Sequence, residues 1–410
     1  MYCSRQYNLD LVMGMEEIAW GTDAELTDAQ FYNREQEIFV LESLIESSSK
    51  GSPPTIMVSG IRGIGKTVLL KKIKKDLDAD YFTCYIDLSY SSSYQMGELT
   101  EIGIIQHFYD SFMEEYKVKK FSSTFKRLDK YFKTKDFSIS DVLDAGGIPL
   151  PIPKTVDNYQ KLSSFVLDLP QVIYEEHQEE IKGTVIFIDE FQVLKDLGMR
   201  LDAFLWYLRG VIQKQKNVIY VFSGSLTSSD SIISQIASSK GAFGGRMLNV
   251  EVHPFTQEIV RQYLNKMAPN LLFDGKGFER FYTCTKGVPF YVNTFAKLLQ
   301  RDVLLDEQKV KEEFQRTLPY LAICLINQWS RLTLQEQKII TILINGPKRR
   351  KDISDKLGVT SGSLSNPLNK LQDAELIKSE KNHYHISEPI LGAWLKKEYK
   401  EKKVYPYRSI

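Results

Sequence analysis

The spacing of apolar residues changes character twice along the chain, and the changes predict three regions of different build. In the first, short continuous apolar runs alternate with amphipathic stretches. Glu35 to Glu46 carries apolar residues at Ile38, Leu41, Leu44 and Ile45, a helical stripe. Thr55 to Ser59 (TIMVS), Phe82 to Leu88 (FTCYIDL), Thr184 to Ile188 (TVIFI) and Val218 to Phe222 (VIYVF) are the short runs, as expected of parallel strands buried on both faces. Helical patterns run over Val68 to Leu77, near Ile102 to Tyr116, over Tyr159 to Glu175 and over Leu201 to Gln213. Strands alternating with helices predict an α/β domain with a parallel sheet.

From Thr256 onward the strand signals stop. Ile259 to Met267, Gly277 to Cys284 and Tyr291 to Leu299 read as helices, a small helical domain. After Ile323 the pattern changes again. Thr333 to Leu343 has a capping threonine and an apolar stripe, Lys351 to Leu357 a second short helix, and Ser361 to Leu376 a third. Pro367 leaves the start of that third helix open, and Asn366 as cap with Pro367 at the first helical position is one solution. Ile377 to Ile386 reads as a hairpin with Asn382 near its tip. Helix, helix, helix and wing predict a winged helix-turn-helix. The predicted boundaries are a lead-in over 1–30, the α/β core over 31–255, the helical domain over 256–325, and the winged helix with its basic tail over 326–410.

Composition agrees with a multidomain soluble protein: 410 residues, 43% apolar and 26% charged. No stretch approaches the roughly 18 apolar residues of a membrane span, and the first ten residues lack a signal-peptide pattern. Cys3, Cys84, Cys284 and Cys324 are too scattered for a metal or disulfide framework. A reducing cytoplasm is the expected location. Charge is uneven. Residues 331–410 hold 16 Lys/Arg against 9 Asp/Glu, a net +7, which leaves −6 for the rest of a chain whose total is +1. Nucleic-acid contact and a merely solvated basic tail both fit that asymmetry.

Gly60-Ile61-Arg62-Gly63-Ile64-Gly65-Lys66-Thr67, followed by Val68, matches the phosphate-binding pattern G-x-x-x-x-G-K-[ST] without a mismatch. Glycines let successive N–H groups turn inward onto phosphate oxygens, and the next helix offers its positive N-terminal end to the same anion. Lys66 is the residue type that reaches the β- and γ-phosphates of ATP, and the Thr67 hydroxyl the type that ligates Mg²⁺. Downstream, the strand Val185-Ile186-Phe187-Ile188 ends in Asp189 and Glu190. Two acids closing an apolar strand are costly unless a cation compensates them. Asp189 is therefore expected in the metal shell and Glu190 as the residue that orients the attacking water. The fold expected is a P-loop NTPase core, and the activity expected is ATP hydrolysis.

These residues belong to an ordered set. It comprises Phe31-Tyr32-Asn33-Arg34-Glu35, the phosphate loop, Ile188 to Gln192, Phe222-Ser223-Gly224-Ser225, Gly244-Gly245-Arg246, Gly287-Val288-Pro289 and Trp394-Leu395. The set resembles the archaeal-type ATPase family of the AAA+/STAND P-loop ATPases, over about residues 31 to 394. The resemblance implies that Asn33 and Arg34 line the adenine side of the pocket and that Ser225 senses the γ-phosphate. It implies that Arg246 is offered to nucleotide, within the chain or from a neighbouring copy. It also makes the helical domain a lid that touches nucleotide through Gly287 and Pro289. On the residues alone, a helix cap, a serine turn, a surface arginine and a helix-starting turn fit equally.

The third helix of the winged module offers only Lys370 as a cation, beside Asn366, Asn369 and Gln372. DNA contact and a protein-packing role both stand open. His383 and His385 read as wing residues, since no cysteine or carboxylate cluster completes a metal site. The resulting expectation is an ATP-driven switch whose nucleotide state controls the C-terminal module, with a protein partner still to be identified. The alternatives are a DNA-binding ATPase similar to archaeal replication-initiation proteins, and a nucleotide-holding scaffold with negligible turnover.

Overall fold

The structure, a computed structural model, describes residues 18–22, 25–47, 53–119, 121, 156–224, 241–243, 247–374 and 376–407. Its contacts divide into two compact units, one spanning Glu35–Val252, the other joining the N-terminal segment up to Arg34 with His253 onward.

The first unit contains α1 (Glu35–Ser47), β1 (Thr55–Ser59), α2 (Lys66–Leu77), β2 (Phe82–Asp87), α3 (Glu101–Lys119), α4 (Val156–His177), β3 (Thr184–Asp189), α5 (Leu201–Ile212), β4 (Val218–Gly224) and β5 (Met247–Glu251). The strands form one parallel sheet in the order β2-β3-β4-β1-β5. Every residue of β3 and β4 is buried, which explains their unbroken apolar sequences. Alternation sends their side chains to two covers. Ile186, Ile188, Tyr220 and Phe222 join Phe108, Phe112, Phe165 and Leu208 from α3, α4 and α5. Val185, Phe187, Ile219 and Val221 are buried on the other face, where α2 packs against β3 and β4. Each such buried side chain stabilises the unit by roughly 1.5–3 kcal/mol, and together they fix the strand ends where the polar residues lie.

Strand β5 is absent from the sequence-based expectation. It is the edge strand beside β1, and its buried positions, Met247 and Val250, are three apart. That spacing gives neither a continuous apolar run nor a period of two.

In the second unit, α6 (Gln257–Met267), α7 (Gly275–Thr285), α8 (Pro289–Leu298) and α9 (Glu307–Leu321) form the helical part. Three starts are capped by side chains: Thr256 accepts from Ile259 N at 3.3 Å, Asp274 from Gly277 N at 2.6 Å, and Asp306 from Lys309 N at 2.8 Å. A parallel pair of two-residue strands, β6 (Leu272–Phe273) and β7 (Leu304–Leu305), corrects the expectation that strands end before this region. The segment before Arg34 belongs here too. Ile18 is buried among these helices, and the Tyr32 ring lies 5.3 Å from that of Tyr263.

The chain continues through α10 (Ile323–Arg331), α11 (Leu334–Leu343), β8 (Lys348–Arg349), α12 (Arg350–Leu357), α13 (Ser365–Asp373), β9 (Ile377–Glu380), β10 (His383–Ile386) and α14 (Pro389–Lys402). The three strands pair antiparallel in the order β8-β10-β9. Lys381 and Asn382 turn the hairpin with φ of 49° and 64°, both left-handed as a two-residue type I′ turn requires. Helix α13 corrects the solution with Asn366 as cap. It begins at Ser365, continuing a 3-10 turn over Gly362–Leu364, so Pro367 occupies its third position. First-turn N–H groups have no partner within a helix, so a proline costs nothing there.

Candidate functional site

Strand β1 ends at Ser59, and the chain turns through Gly60, Gly63 and Gly65 into α2. Gly63 and Gly65 have φ of 75° and 97°, a region that glycine enters without strain. Gly60 is required for a different reason: a Cβ there would stand 2.7 Å from the Val252 carbonyl oxygen. Ile64 is fully buried and anchors the loop, while Ile61 and Arg62 face outward. Gly63, Gly65, Thr67 and Val68 are partly exposed. Lys66 is buried, and its Nζ donates to the Gly60 carbonyl at 2.8 Å and to that of Ile61 at 3.2 Å. The cation thus closes its own loop.

Asp189, the last residue of β3, is fully buried. Its Oδ2 accepts from Thr67 Oγ1 at 2.6 Å and from the Tyr85 hydroxyl at 2.7 Å, while Oδ1 accepts from the Glu190 N–H at 2.9 Å. The sequence-predicted pair Thr67 and Asp189, 122 residues apart, is therefore brought together. Glu190 leaves the strand with φ of 54° and ψ of 39°, a left-handed conformation that costs a non-glycine residue about 1 kcal/mol. Gln192 Nε2 donates to Glu190 Oε2. Burial first, and then the charge of Asp189, pushes the Glu190 carboxyl upward, with the Lys66 ammonium opposing. An acid held this way retains a proton longer than an exposed one.

Two neighbours of Asp189 were assigned no role from the sequence, although Ser223 belongs to the segment 222–225 of the ordered set. Tyr85 lies on β2, and burial, then Asp189, pushes its phenol strongly upward. Ser223 lies on β4, fully buried, and its hydroxyl has no partner among the described residues. Ile188 pairs in register with Phe222, so Asp189 and Ser223 follow on the same face of adjacent strands. Only the order of the strands makes these residues neighbours.

The remaining expected site residues divide in two. Ser225 and Arg246, with Gly244 and Gly245, lie outside the described residues. Asn33, Arg34, Gly287 and Pro289 belong to the second unit. Asn33 takes a left-handed φ of 53°. Arg34 is buried; its guanidinium donates to the His253 carbonyl at 3.0 Å and lies 4.6 Å from the centre of the Phe255 ring. Gly287, φ 69°, accepts from Phe255 N at 2.9 Å, and a Cβ there would stand 1.9 Å from the Phe255 carbonyl oxygen. Pro289 is the first residue of α8.

Among the described residues, no group of three or more His, Cys, Asp or Glu is arranged to hold a metal, and no helix is long and apolar enough to cross a membrane. Residues 31–295 match the family described as an ATPase domain predominantly from Archaea. No curated protein matches the chain. Among solved structures, a Walker-type ATPase of Pyrococcus abyssi aligns at 18% identity and a TM-score of 0.62, covering 91% of this chain and 98% of that one. The ORC2 protein of Aeropyrum pernix, solved as ADPNP and ADP complexes, aligns at 11% identity and a TM-score of 0.53, covering 95% and 100%. At such identities the likeness concerns the fold.

Proposed function

The chain belongs to the family of ATPase domains found predominantly in Archaea, and from that premise we propose that ATP is held by residues 60–68 and hydrolysed with Mg²⁺ through Glu190. The observation that carries the reading is the junction of Thr67 and Asp189, 2.6 Å apart at the end of the phosphate loop. A hydroxyl and a carboxylate are hard oxygen ligands suited to Mg²⁺, which takes its remaining ligands from phosphates and water. The ion would supply charge neutralisation for the phosphoryl oxygens.

The chain's own residues supply the rest. Backbone N–H groups of the loop cradle the phosphates. The Lys66 ammonium exchanges the Gly60 and Ile61 carbonyls for phosphate oxygens. Glu190, oriented by Gln192, holds the attacking water and takes its proton. The resemblance adds Ser225 as γ-phosphate sensor and Arg246 as the arginine that neutralises transition-state charge, from the same chain or from a second copy.

Nucleotide state then controls the C-terminal module, which we read as a winged helix from its helix-strand-helix-helix-hairpin order. A DNA-binding ATPase is the second reading, favoured by the basic bias of residues 331–410. Tight duplex binding that weakens steeply with salt would select it. The proposal is tested by Lys66→Ala and calorimetry. Loss of a charge-assisted contact of roughly 1.5–3 kcal/mol predicts ATP affinity about 10- to 100-fold weaker. Unchanged affinity refutes the site.

A further inference from the structure

Asp189 stands beside Asp87 in register at the ends of β3 and β2. Two carboxylates so placed repel each other, and each is held by its own donors. Asp87 accepts from the N–H and hydroxyl of Ser89 at 2.9 and 2.6 Å. Asp189 has the Thr67 hydroxyl, the Glu190 N–H and the phenol of Tyr85. The first two come from the phosphate loop's helix and from the adjacent residue. Tyr85 comes from a separate strand, where it pairs in register with Phe187, two residues short of Asp189. That offset is about 6.6 Å of strand, a gap a tyrosine side chain spans and a serine side chain does not. The ring is itself seated, with Lys71 Nζ 5.6 Å from its centre.

We propose that Tyr85 is a positioning residue for the ion-and-water site, its hydroxyl fixing Asp189 Oδ2 toward Thr67 from the side of β2. The inference rests on the reading of Thr67 and Asp189 as the Mg²⁺ pair. Thr67 has a single hydroxyl proton, and two donors on one carboxylate oxygen restrict that carboxylate more than one. Without the phenol hydroxyl, Asp189 remains buried with one donor fewer and is less restrained in its orientation toward Thr67. The deficit falls on ion binding and on turnover, because the Tyr85 hydroxyl acts on Asp189 and not on the phosphate loop's backbone cradle. Ser223 lies on the opposite flanking strand, β4, and its hydroxyl has no partner among the described residues, which leaves β2 as the flank seen to supply the donor.

Tyr85→Phe removes the hydroxyl and keeps the ring. In the full chain, ATP affinity in the presence of chelator and the melting temperature should match the parent. The Mg²⁺ concentration for half-maximal turnover should rise about tenfold, the worth of one hydrogen bond to a charged group. Mn²⁺ binding to the ATP complex, read by electron spin resonance, should weaken by the same factor. In an Asp189→Asn background the substitution should add nothing, since the two residues act through one bond. Mg²⁺ and Mn²⁺ responses equal to the parent's overturn the inference, and so does a joint loss of melting temperature and chelator-insensitive ATP binding, which would make the hydroxyl a support of the fold. If the parent protein binds ATP with no response to Mg²⁺, the ion reading itself fails and takes this inference with it.

Discussion

The two units place their buried charges differently: in the first they gather where β1 and β3 end, while in the second Arg34 is seated against the His253 carbonyl and the Phe255 ring. In the α/β unit, Lys66 and Asp189 are buried at strand and helix ends, each satisfied by named partners. In the second unit, charges pair at the surface, as between Arg280 and Glu307 at 2.7 Å, Lys311 and Glu307 at 2.7 Å, and Lys402 and Glu398 at 2.6 Å. Exposed pairs of this kind contribute between nothing and about 1 kcal/mol, so they are replaceable. A buried charge leaves its partners unsatisfied when it is removed. The difference locates chemistry in the first unit and leaves packing as the main determinant in the second. Substitutions at the strand ends should alter turnover, whereas substitutions in the helical unit should alter stability and leave turnover per folded molecule unchanged.

The largest effect expected is on turnover. Glu190→Gln keeps the size of the side chain and its contact with Gln192 while removing the base. General-base catalysis contributes roughly 10²- to 10⁴-fold, so phosphate release should fall by that factor while ATP binding and melting temperature persist. A variant that hydrolyses at the parent rate would remove Glu190 from the chemistry and blur the contrast between the units.

How far the site could be read from sequence follows from the range of its contacts. The phosphate loop is one contiguous segment with the glycines its backbone needs. Asp189 and Glu190 stood out because two acids closing an apolar strand contradict burial unless something compensates them, and the structure brings Asp189 against Thr67; their metal and water roles belong to the proposal. Tyr85 was not legible, since its bond to Asp189 spans 104 residues and exists only because β2 and β3 are neighbours. Arg34 shows the same limit, for the His253 carbonyl that receives its hydrogen bond lies 219 residues away. Strand β5 was missed because an edge strand with buried positions three apart carries neither period. The hairpin at Lys381 and Asn382 and the cap at Thr333 were legible, each being settled by residues close together in sequence.

A smaller effect, in stability, is expected at Gly287. Its φ of 69° and the 1.9 Å that would separate an added Cβ from the Phe255 carbonyl oxygen leave no room for alanine. Left-handed strain of about 1–2 kcal/mol and an overpacking cost of about 1–3 kcal/mol predict that Gly287→Ala lowers the melting temperature of the second unit by about 5 °C or more. Calorimetric melting decides it. An unshifted transition would show that the close approach relaxes at no cost and that packing does not govern this turn.

The smallest effect tests whether the C-terminal helices are as locally determined as their caps indicate. Thr333 and Glu336 form a reciprocal capping box at the start of α11: Thr333 Oγ1 accepts from Glu336 N at 3.3 Å, and Thr333 N donates to Glu336 Oε2 at 2.8 Å. Thr333→Ala removes one of the two bonds and should destabilise by about 1 kcal/mol, a shift of about 2–4 °C in the melting transition. Thr333→Ser restores the hydroxyl and should recover most of that shift, which separates the cap from the lost methyl group. Turnover per folded molecule should stay at the parent value, because nothing at the strand ends is touched. A Thr333→Ala protein that melts normally but hydrolyses ATP at an altered rate would reverse the assignment. Helix α11 would then transmit to the catalytic unit, and the separation of packing from chemistry between the two units would no longer hold.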